Sequence, residues 1–231
     1  GSDVREGIFK VATELRARDG LLGRLRGVIV THDHTDHLRG AGILARKHAV
    51  PVWMTRGTHA AASRTLGSIP DARFFVPGET RRIDGLAVHT FATPHDGAEP
   101  AAVILERAGL RCGVLTDLGH PFAALREMLG TLDAVFLESN YDPEMLARGP
   151  YPAWLQARIR SPHGHLSNEE AGTLIRDCTA GRLRTVVLAH LSENNNCPDL
   201  ARDSMQRFAA DRLRSGLRVL VAPRGVLEHR P

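Results

Sequence analysis

The sequence lacks the features that would mark a secreted, membrane-bound or multidomain protein. Its 231 residues include only three cysteines, at scattered positions, so we predict reduced thiols and a cytoplasmic location rather than a disulfide framework. No apolar run approaches the roughly 18 residues that cross a bilayer, so we predict no membrane partner. No repeat, low-complexity stretch or block of charge divides the chain, which predicts a single domain over residues 1–231.

Histidine, by contrast, is abundant, and the net charge is slightly basic. Twelve histidines occur in the chain, and histidine is the commonest metal ligand in proteins. The formal net charge of +4 is compatible with an anionic substrate but does not identify one. The composition therefore directs attention to places where histidines cluster.

Short strand-like stretches alternate with amphipathic stretches along the chain. Apolar runs such as GVIVT, LAVHTFAT, AVFLES and TVVLAH are separated by helical patterns such as LRGAGILARKH and PFAALREML. The sequence SNEE has the form of a capping box between Ser167 and Glu170, which predicts the start of a helix. Many strands with interspersed helices indicate a layered α/β architecture.

The densest group of polar residues is THDHTDH at 31–37, directly after an apolar strand. On an extended segment, residues two apart point the same way, so His32 and His34 can share one ion. Where the chain bends into the next helix, Asp36 and His37 turn toward a second position. The alternative is that these side chains only cap the helix, but burying three imidazoles without a ligand is costly. The cluster therefore predicts a site for two adjacent metal ions.

Three more polar residues stand at the ends of apolar strands. His95 follows a strand in FATPHDG, Asp117 ends one in GVLTDLG, and His190 ends one in TVVLAHLS. Any one alone would be interpreted as a turn residue or a hydrogen-bonded core histidine. Because all three recur at one type of position, they join the four motif residues as seven candidate ligands, with Asp117 suited to bridge two cations. Asp96 is placed to orient the imidazole of a ligand.

These residues resemble the metal set of the metallo-β-lactamase-fold hydrolases. The resemblance implies an α/β fold, a four-layer αββα sandwich with a dinuclear site at the edge of its two sheets. The ligands that it implies are His32, His34 and His95 for one ion, Asp36, His37 and His190 for the other, and Asp117 as the bridge. The cofactors would be two divalent ions, Zn²⁺ or Mn²⁺, since both suit histidine and carboxylate ligands. The bridging aspartate favours the thioesterase and phosphodiesterase branches over true β-lactamases.

A more specific resemblance comes from the middle of the chain. The segments LTDLG, LESNYD, GPYP and GHLSN occur in this order between 115 and 168 and are similar to the YycJ/WalJ-type branch of this fold, whose members are regarded as 5′→3′ DNA exonucleases. The resemblance implies a metal-dependent hydrolase, a phosphodiesterase or nuclease, whose partner is nucleic acid, DNA rather than RNA. Members usually begin with a strand pair ahead of the first helix. This chain starts at that helix with GSDVREG, which implies that its N-terminal strands are missing.

Five residues are predicted to act on the substrate. His165, in GHLSN, is predicted to help the leaving oxygen, and Asp36 is the other predicted catalytic residue. Asn140, Asn168 and Arg158 are predicted to bind substrate, and the guanidinium of the arginine suits a phosphate group. These assignments depend on the segments that carry the resemblance.

Two other functions remain open from the sequence. One is hydrolysis of a small thioester or ester, of the glyoxalase II type, although little more than one helix and one strand follow His190, where that branch adds a helical substrate domain. The other is a catalytically silent module that binds nucleic acid. Such a module would be free to lose ligands, whereas this chain has all seven. The oligomeric state is not predicted.

Overall fold

The computed structural model describes residues 25–38, 40–178 and 181–222. The strands within these ranges are β1 (Val28–Ile29), β2 (Val52–Met54), β3 (Ala72–Phe74), β4 (Thr80–Ile83), β5 (Leu86–Ala92), β6 (Ala101–Arg107), β7 (Leu110–Leu115), β8 (Ala134–Glu138), β9 (Thr185–Ala189) and β10 (Arg218–Val221). The helices are α1 (Thr35–Leu38), α2 (Ala41–His48), α3 (Arg56–Leu66), α4 (Ala123–Gly130), α5 (Pro143–Arg148), α6 (Ala153–Ile159), α7 (Asn168–Asp177), α8 (Pro198–Phe208) and α9 (Ala210–Arg214).

The strands form two sheets whose directions bring the candidate ligands together. Strands β1, β2 and β3 form a parallel sheet in this order. The other strands follow the order β10-β9-β8-β7-β6-β5-β4, parallel from β7 to β10 and antiparallel from β4 to β7. Because β5 and β7 are both antiparallel to β6, the strands β5, β7, β8 and β9 end at the same edge of the sheet. Polar residues that follow these strands therefore meet at one edge.

Two apolar cores hold helices against one face of each sheet. The larger core joins β7, β8 and β9 to α4, α7 and α8, and side chains such as Leu115 and Leu137 are fully buried in it. The smaller core joins the three-stranded sheet to α2 and α3 around Val52 and Met54. Each such side chain contributes roughly 1.5–3 kcal/mol to the free energy of unfolding. The helix and sheet layers agree with the predicted α/β class.

Helix α7 begins where the sequence predicted. Ser167 Oγ accepts the backbone N–H of Glu170 at 3.2 Å, and the Glu170 carboxylate accepts the backbone N–H of Ser167 at 2.8 Å, so the capping box is complete. The buried face of the helix, with Leu174 and Ile175, packs into the larger core. The loop before α7, which carries His165, is therefore attached to a well-anchored helix.

The ends of the chain lie outside the described residues. The predicted absence of N-terminal strands falls on residues 1–24 and is therefore not described. The single domain over residues 1–231 stays a prediction as well. Within the described ranges, no helix has both the length and the apolar character needed to cross a membrane.

Candidate metal centre

Three histidines from two loops meet at the edge of the sheets. His32 and His34 lie between β1 and α1, and His95 follows β5; their ligand nitrogens lie within 4.8 Å of one another. Nε2 of His34 lies 3.0 Å from the carbonyl oxygen of Asp96, and Nδ1 of His95 donates to the carbonyl oxygen of Gly164 at 2.9 Å. These bonds hold one side of each ring, so the other ring nitrogens face a common point. We call these histidines the first trio.

A second trio consists of Asp36 and His37 in α1 and His190 after β9. Its ligand atoms also lie within 4.8 Å of one another. Oδ2 of Asp36 lies 3.6 Å from Nε2 of His37 and 3.9 Å from Nε2 of His190. Two ligands that are each about 2.1 Å from a shared ion lie roughly 3.0–4.2 Å apart, depending on the angle between them. The separations therefore suit ligands of one ion better than hydrogen-bonded partners.

Asp117 stands between the two trios. Its Oδ1 lies 3.9 Å from Nε2 of His32 and 3.7 Å from Nε2 of His95, in the first trio. In the second trio, Nδ1 of His190 lies 3.5 Å from the same oxygen, and Nε2 of His37 lies 3.5 Å from Oδ2. The residue is 2% exposed, and among the described residues none donates a hydrogen bond to either carboxylate oxygen. A buried carboxylate without donors is costly unless a cation compensates it. The structure thus brings all seven predicted ligands together, with the buried carboxylate of Asp117 between the two trios.

The backbone is strained where two of these ligands leave their strands. Asp117 and His190 adopt left-handed conformations, with φ of 60° and 56°. Such φ values are uncommon for residues other than glycine, and here they turn both side chains into the site. Close approach of the loops also requires Gly119, because a Cβ there would lie 2.0 Å from the carbonyl oxygen of Pro162 and 2.4 Å from that of Pro94.

Glu138, the last residue of β8, is a central residue that the sequence prediction missed. It is fully buried, and its Oε1 lies 2.8 Å from Nδ1 of His165 and 2.8 Å from Nδ1 of His190. Its Oε2 accepts the backbone N–H groups of Leu118 at 2.7 Å and Leu166 at 3.2 Å. One carboxylate therefore fixes two rings and two loops, and leaves Nε2 of both rings for the site. The signal was present, since a charged residue ends the apolar strand AVFLE, as at the other strand ends.

His165 lies beside both trios. The centroid of its ring is 5.0 Å from that of His95 and 5.2 Å from that of His190. Its backbone N–H donates to the carbonyl oxygen of Ile159 at 2.9 Å. The tight turn before it requires Gly164, because a Cβ there would lie 2.1 Å from the same carbonyl oxygen. The local sequence thus places the predicted catalytic imidazole next to the predicted ligands.

Asp96 and Arg158 form an ion pair beside the first trio. Nε of Arg158 lies 2.5 Å from Oδ2 of Asp96, whose Oδ1 lies 3.3 Å from Nε2 of His34 and 3.5 Å from Nε2 of His95. Burial raises the pKa of Asp96, but the hydrogen bond from Arg158 and its charge outweigh burial and hold this pKa below its ordinary value. Asp96 is therefore a charged neighbour of two imidazoles, and the orienting role expected from the sequence stays a prediction.

The two predicted asparagines differ in their environment. Asn140 lines the cavity beside the site, and its Nδ2 donates to the carbonyl oxygen of His190 at 2.9 Å. Asn168 is 1% exposed; its Oδ1 accepts from Ser139 Oγ at 2.6 Å, and its Nδ2 donates to Asn196 at 3.0 Å. The structure therefore does not bring Asn168 to the cavity, contrary to the prediction. The amide of Asn168 instead belongs to a buried hydrogen-bond network with Ser139 and Asn196.

The ionisable groups of the site fall into two sets that differ in the direction of their pKa shifts. Burial lowers the pKa of His32 to about 3 and lowers the pKa of His95, so both imidazoles are neutral at pH 7, the form that ligates metals. Burial would raise the pKa of Asp117, but the charges of His190 and its neighbours outweigh burial and lower it. The pKa of His190 is raised well above its ordinary value, since the surrounding carboxylates outweigh burial. One part of the site thus offers neutral donors, and the other stabilises positive charge.

The site opens into a cavity of about 630 Å³. The carboxylates among its lining residues are those of Asp33, Asp36, Asp96, Asp117 and Glu193. The same lining includes a single arginine, Arg158, so the carboxylates are in clear excess. A cavity with this charge would repel a polyanion unless cations neutralised it. The donor set, the burial of Asp117 and this excess of carboxylates together fit a centre for divalent metal ions.

Comparison with known proteins identifies the family. A sequence model described as the Beta-lactamase superfamily domain matches residues 3–190. The chain belongs to this family. It is also 34% identical over 209 residues to Exodeoxyribonuclease YycJ of Bacillus anthracis, an alignment that covers 90% of this chain and 77% of that protein. The family and the branch expected from the sequence are thereby confirmed.

Solved structures agree with the superfamily fold. The metallo-β-lactamase fold protein YhfI from Bacillus subtilis superposes with a TM-score of 0.69 at 16% identity, covering 94% of this chain and 82% of that one. Zn²⁺-bound PqqB from Methylobacterium extorquens superposes with a TM-score of 0.62 at 21% identity, covering 87% of this chain and 72% of that one. At these identities the likeness concerns the fold alone, and it confirms the predicted fold class. The family match and the similarity to an exodeoxyribonuclease together identify the chain as a metal-dependent hydrolase of this superfamily.

Proposed function

We propose that this chain is an exonuclease that uses two divalent metal ions to hydrolyse phosphodiester bonds of DNA. The observation that carries the proposal is the position of Asp117, whose two buried carboxylate oxygens lie 3.5–3.9 Å from histidines of both trios without a hydrogen-bond donor among the described residues. A shared carboxylate of this kind suits a pair of adjacent ions that clamp a phosphoryl group. Similarity to Exodeoxyribonuclease YycJ supports DNA, rather than RNA, as the substrate.

The first trio would hold one ion and the second trio would hold the other. Asp117 would contact both ions. Zn²⁺ and Mn²⁺ both suit these imidazole and carboxylate donors. When bound, such ions activate water near neutral pH and neutralise the phosphoryl oxygens. They would also reverse the charge of a cavity whose lining is rich in carboxylates. Hydrolysis forms a bond between a water oxygen and phosphorus and breaks the bond to the leaving oxygen, which departs with a proton.

His165 is the residue that we assign to that proton. Its Nδ1 is bonded to Oε1 of Glu138 at 2.8 Å, so Nε2 faces the cavity, where His165 is a lining residue. The buried carboxylate of Glu138 holds the ring through Nδ1, which leaves Nε2 as the nitrogen that would donate a proton to a leaving oxygen. Asp36 serves this reaction as a ligand, through its contacts in the second trio.

Replacing His165 with alanine should lower kcat on DNA by about 10²–10⁴-fold, because a positioned proton donor contributes on this order. Both metal ions should remain bound, since all seven ligands are kept. Rate measurements combined with elemental analysis of metal content test both expectations. His89→Ala is the matched control, since His89 lies on β5 and its ring is bonded to Thr80 and Glu106 outside the cavity. A fully active His165 variant would remove the assignment.

Replacing Arg158 with alanine should raise KM for DNA by roughly 10-fold and reduce the slope of log affinity against log salt by about 1, because one phosphate contact is lost. Arg158→Lys keeps the charge and should keep the slope. Affinity is measured over a range of salt concentrations, with Arg176→Ala, an exposed arginine paired with Asp177 on α7, as the control. An unchanged slope in Arg158→Ala would exclude contact with phosphate.

The function itself is tested by supplying the protein with Mn²⁺ or Zn²⁺ and offering several substrates in parallel. These are end-labelled single-stranded DNA, double-stranded DNA, RNA and a small thioester. We expect DNA to be shortened progressively from an end, and the position of the label to give the polarity. Intact nucleic acids together with rapid thioester hydrolysis would overturn the proposal. Tight binding of DNA without cleavage would overturn the catalytic part of it.

A further inference from the structure

Helix α6 presents an apolar row to the cavity. None of its residues is fully buried, although the helix borders the site. Leu155 and Ile159 are four residues apart within the helix and share one helical face, and Tyr151 lies just before the helix. All three line the cavity, and Leu191, after β9, lines it too. We call these four residues the α6 wall. A helix normally buries such a face in the core, whereas this face borders a cavity large enough for a ligand.

The α6 wall is connected to the metal centre by Arg158. This residue lies on the same helix, lines the same cavity and reaches Asp96, beside the first trio. Its bond to Asp96 uses only one of the five N–H donors of a guanidinium, so the other donors can meet a phosphate. The cavity therefore combines a metal centre, a cationic group and an apolar surface. A ligand that matches these three features has an anionic group, which meets the metal centre and Arg158, next to a flat, weakly polar group, which meets the apolar surface.

Tyr151 is held in place before any ligand binds. Its hydroxyl oxygen accepts a hydrogen bond from Asn194 Nδ2 at 3.0 Å, and its carbonyl oxygen accepts one from Gln156 Nε2 at 2.9 Å. A fixed aromatic ring loses little conformational freedom on binding, which favours affinity. Stacking of nucleobases on aromatic rings is strong and nearly independent of base identity.

We propose that the α6 wall binds the base of a nucleotide next to the scissile phosphate, and that this nucleotide is unpaired. The proposal rests on the proposed function, because it assumes a phosphodiester at the metal centre. A cavity of about 630 Å³ lies within the usual range for small ligands, about 300–1,000 Å³. It therefore suits one nucleotide that has left the duplex, as in other enzymes that act on a single nucleotide. An apolar wall recognises any base, as degradation from an end requires.

The test compares single-stranded oligodeoxynucleotides that differ by one base. One substrate is intact, and two others carry a single abasic residue at the first nucleotide of either end. The wild-type protein should cleave the intact end at least about 10-fold more efficiently, in kcat/KM, than the matching abasic end. In Leu155→Ala this preference should fall to about 3-fold or less. Leu155→Met, which keeps the apolar volume, should restore it.

Two further measurements separate this inference from other effects. Because Leu155 is only half-buried, Leu155→Ala should leave the melting temperature nearly unchanged. Trp154→Ala, on the outer side of the same helix at 67% exposure, should keep the preference for the intact end. Equal cleavage of intact and abasic ends by the wild-type protein would overturn the inference and leave the proposed function standing. Full retention of the preference for the intact end by Leu155→Ala would also overturn the inference and leave the proposed function standing. Failure to cleave any DNA would overturn both.

Discussion

Replacing Asp117 with alanine is expected to reduce DNA hydrolysis by more than about 100-fold. Loss of a residue that only orients a metal ligand already costs about 10–100-fold in affinity or activity, and Asp117 is placed to contact both ions. Its carboxylate lies within 3.9 Å of His32 and His95 in the first trio and within 3.5 Å of His37 and His190 in the second. Without this carboxylate the two trios remain, but the group that holds both ions together and offsets their charge is lost.

Metal content and thermal stability measure the same change without relying on activity. Elemental analysis should give up to two divalent ions for the wild-type chain and at most one for Asp117→Ala. Added Zn²⁺ or Mn²⁺ should raise the melting temperature of the wild-type chain more than that of the variant, since ligands stabilise the state that binds them. Asp211→Ala, an exposed aspartate on α9, makes the same chemical change far from the cavity and should affect neither property. Two tightly bound ions in Asp117→Ala would contradict the bridging role.

The ligands could be predicted from the sequence because their placement follows local rules. His32, His34, Asp36 and His37 lie within six residues, so strand and helix periodicity alone brings them together. The remaining ligands follow apolar strands, and strands that run in the same direction end at the same edge of a sheet. Asp117 illustrates both rules, since it follows β7 and then leaves the strand with a left-handed backbone.

Other parts of the site depend on tertiary structure that the sequence does not express. Asn168 has the polar side chain expected of a substrate ligand, but the direction in which α7 starts places it in the buried network with Ser139 and Asn196. Leu155 and Ile159 have the spacing of an ordinary core-facing helix, and only the packed structure places them, together with Tyr151, on a cavity. Glu138 was missed because its partners, two histidine rings and two backbone N–H groups, are brought to the end of β8 only by the packed structure.

Replacing Glu138 should damage stability and activity together. Alanine would leave the Nδ1 groups of His165 and His190 and the backbone N–H groups of Leu118 and Leu166 without their acceptor. Removing one partner from a buried charged network costs on the order of 3–5 kcal/mol of the free energy of unfolding. Glutamine keeps the shape of the side chain, but its NH₂ group would face either the two histidine Nδ1 groups or the two backbone N–H groups, which are themselves donors. We expect it to cost about 2 kcal/mol and to slow turnover by about 10–100-fold.

The pH dependence of unfolding distinguishes the charge of Glu138 from its shape. Burial would raise the pKa of this carboxyl, but His165 and His190 outweigh burial and lower it. A lowered pKa in the folded state means that the stabilisation is present above the ordinary value of 4.5 and is lost as the pH falls through the folded value. The difference between wild type and Glu138→Gln in denaturant unfolding should therefore be largest above pH 4.5 and shrink in acid. Glu127→Gln, at an exposed position of α4, should show no such difference. A stability gap independent of pH would mean that Glu138 acts through its shape, and full activity in Glu138→Gln would remove it from the catalytic site.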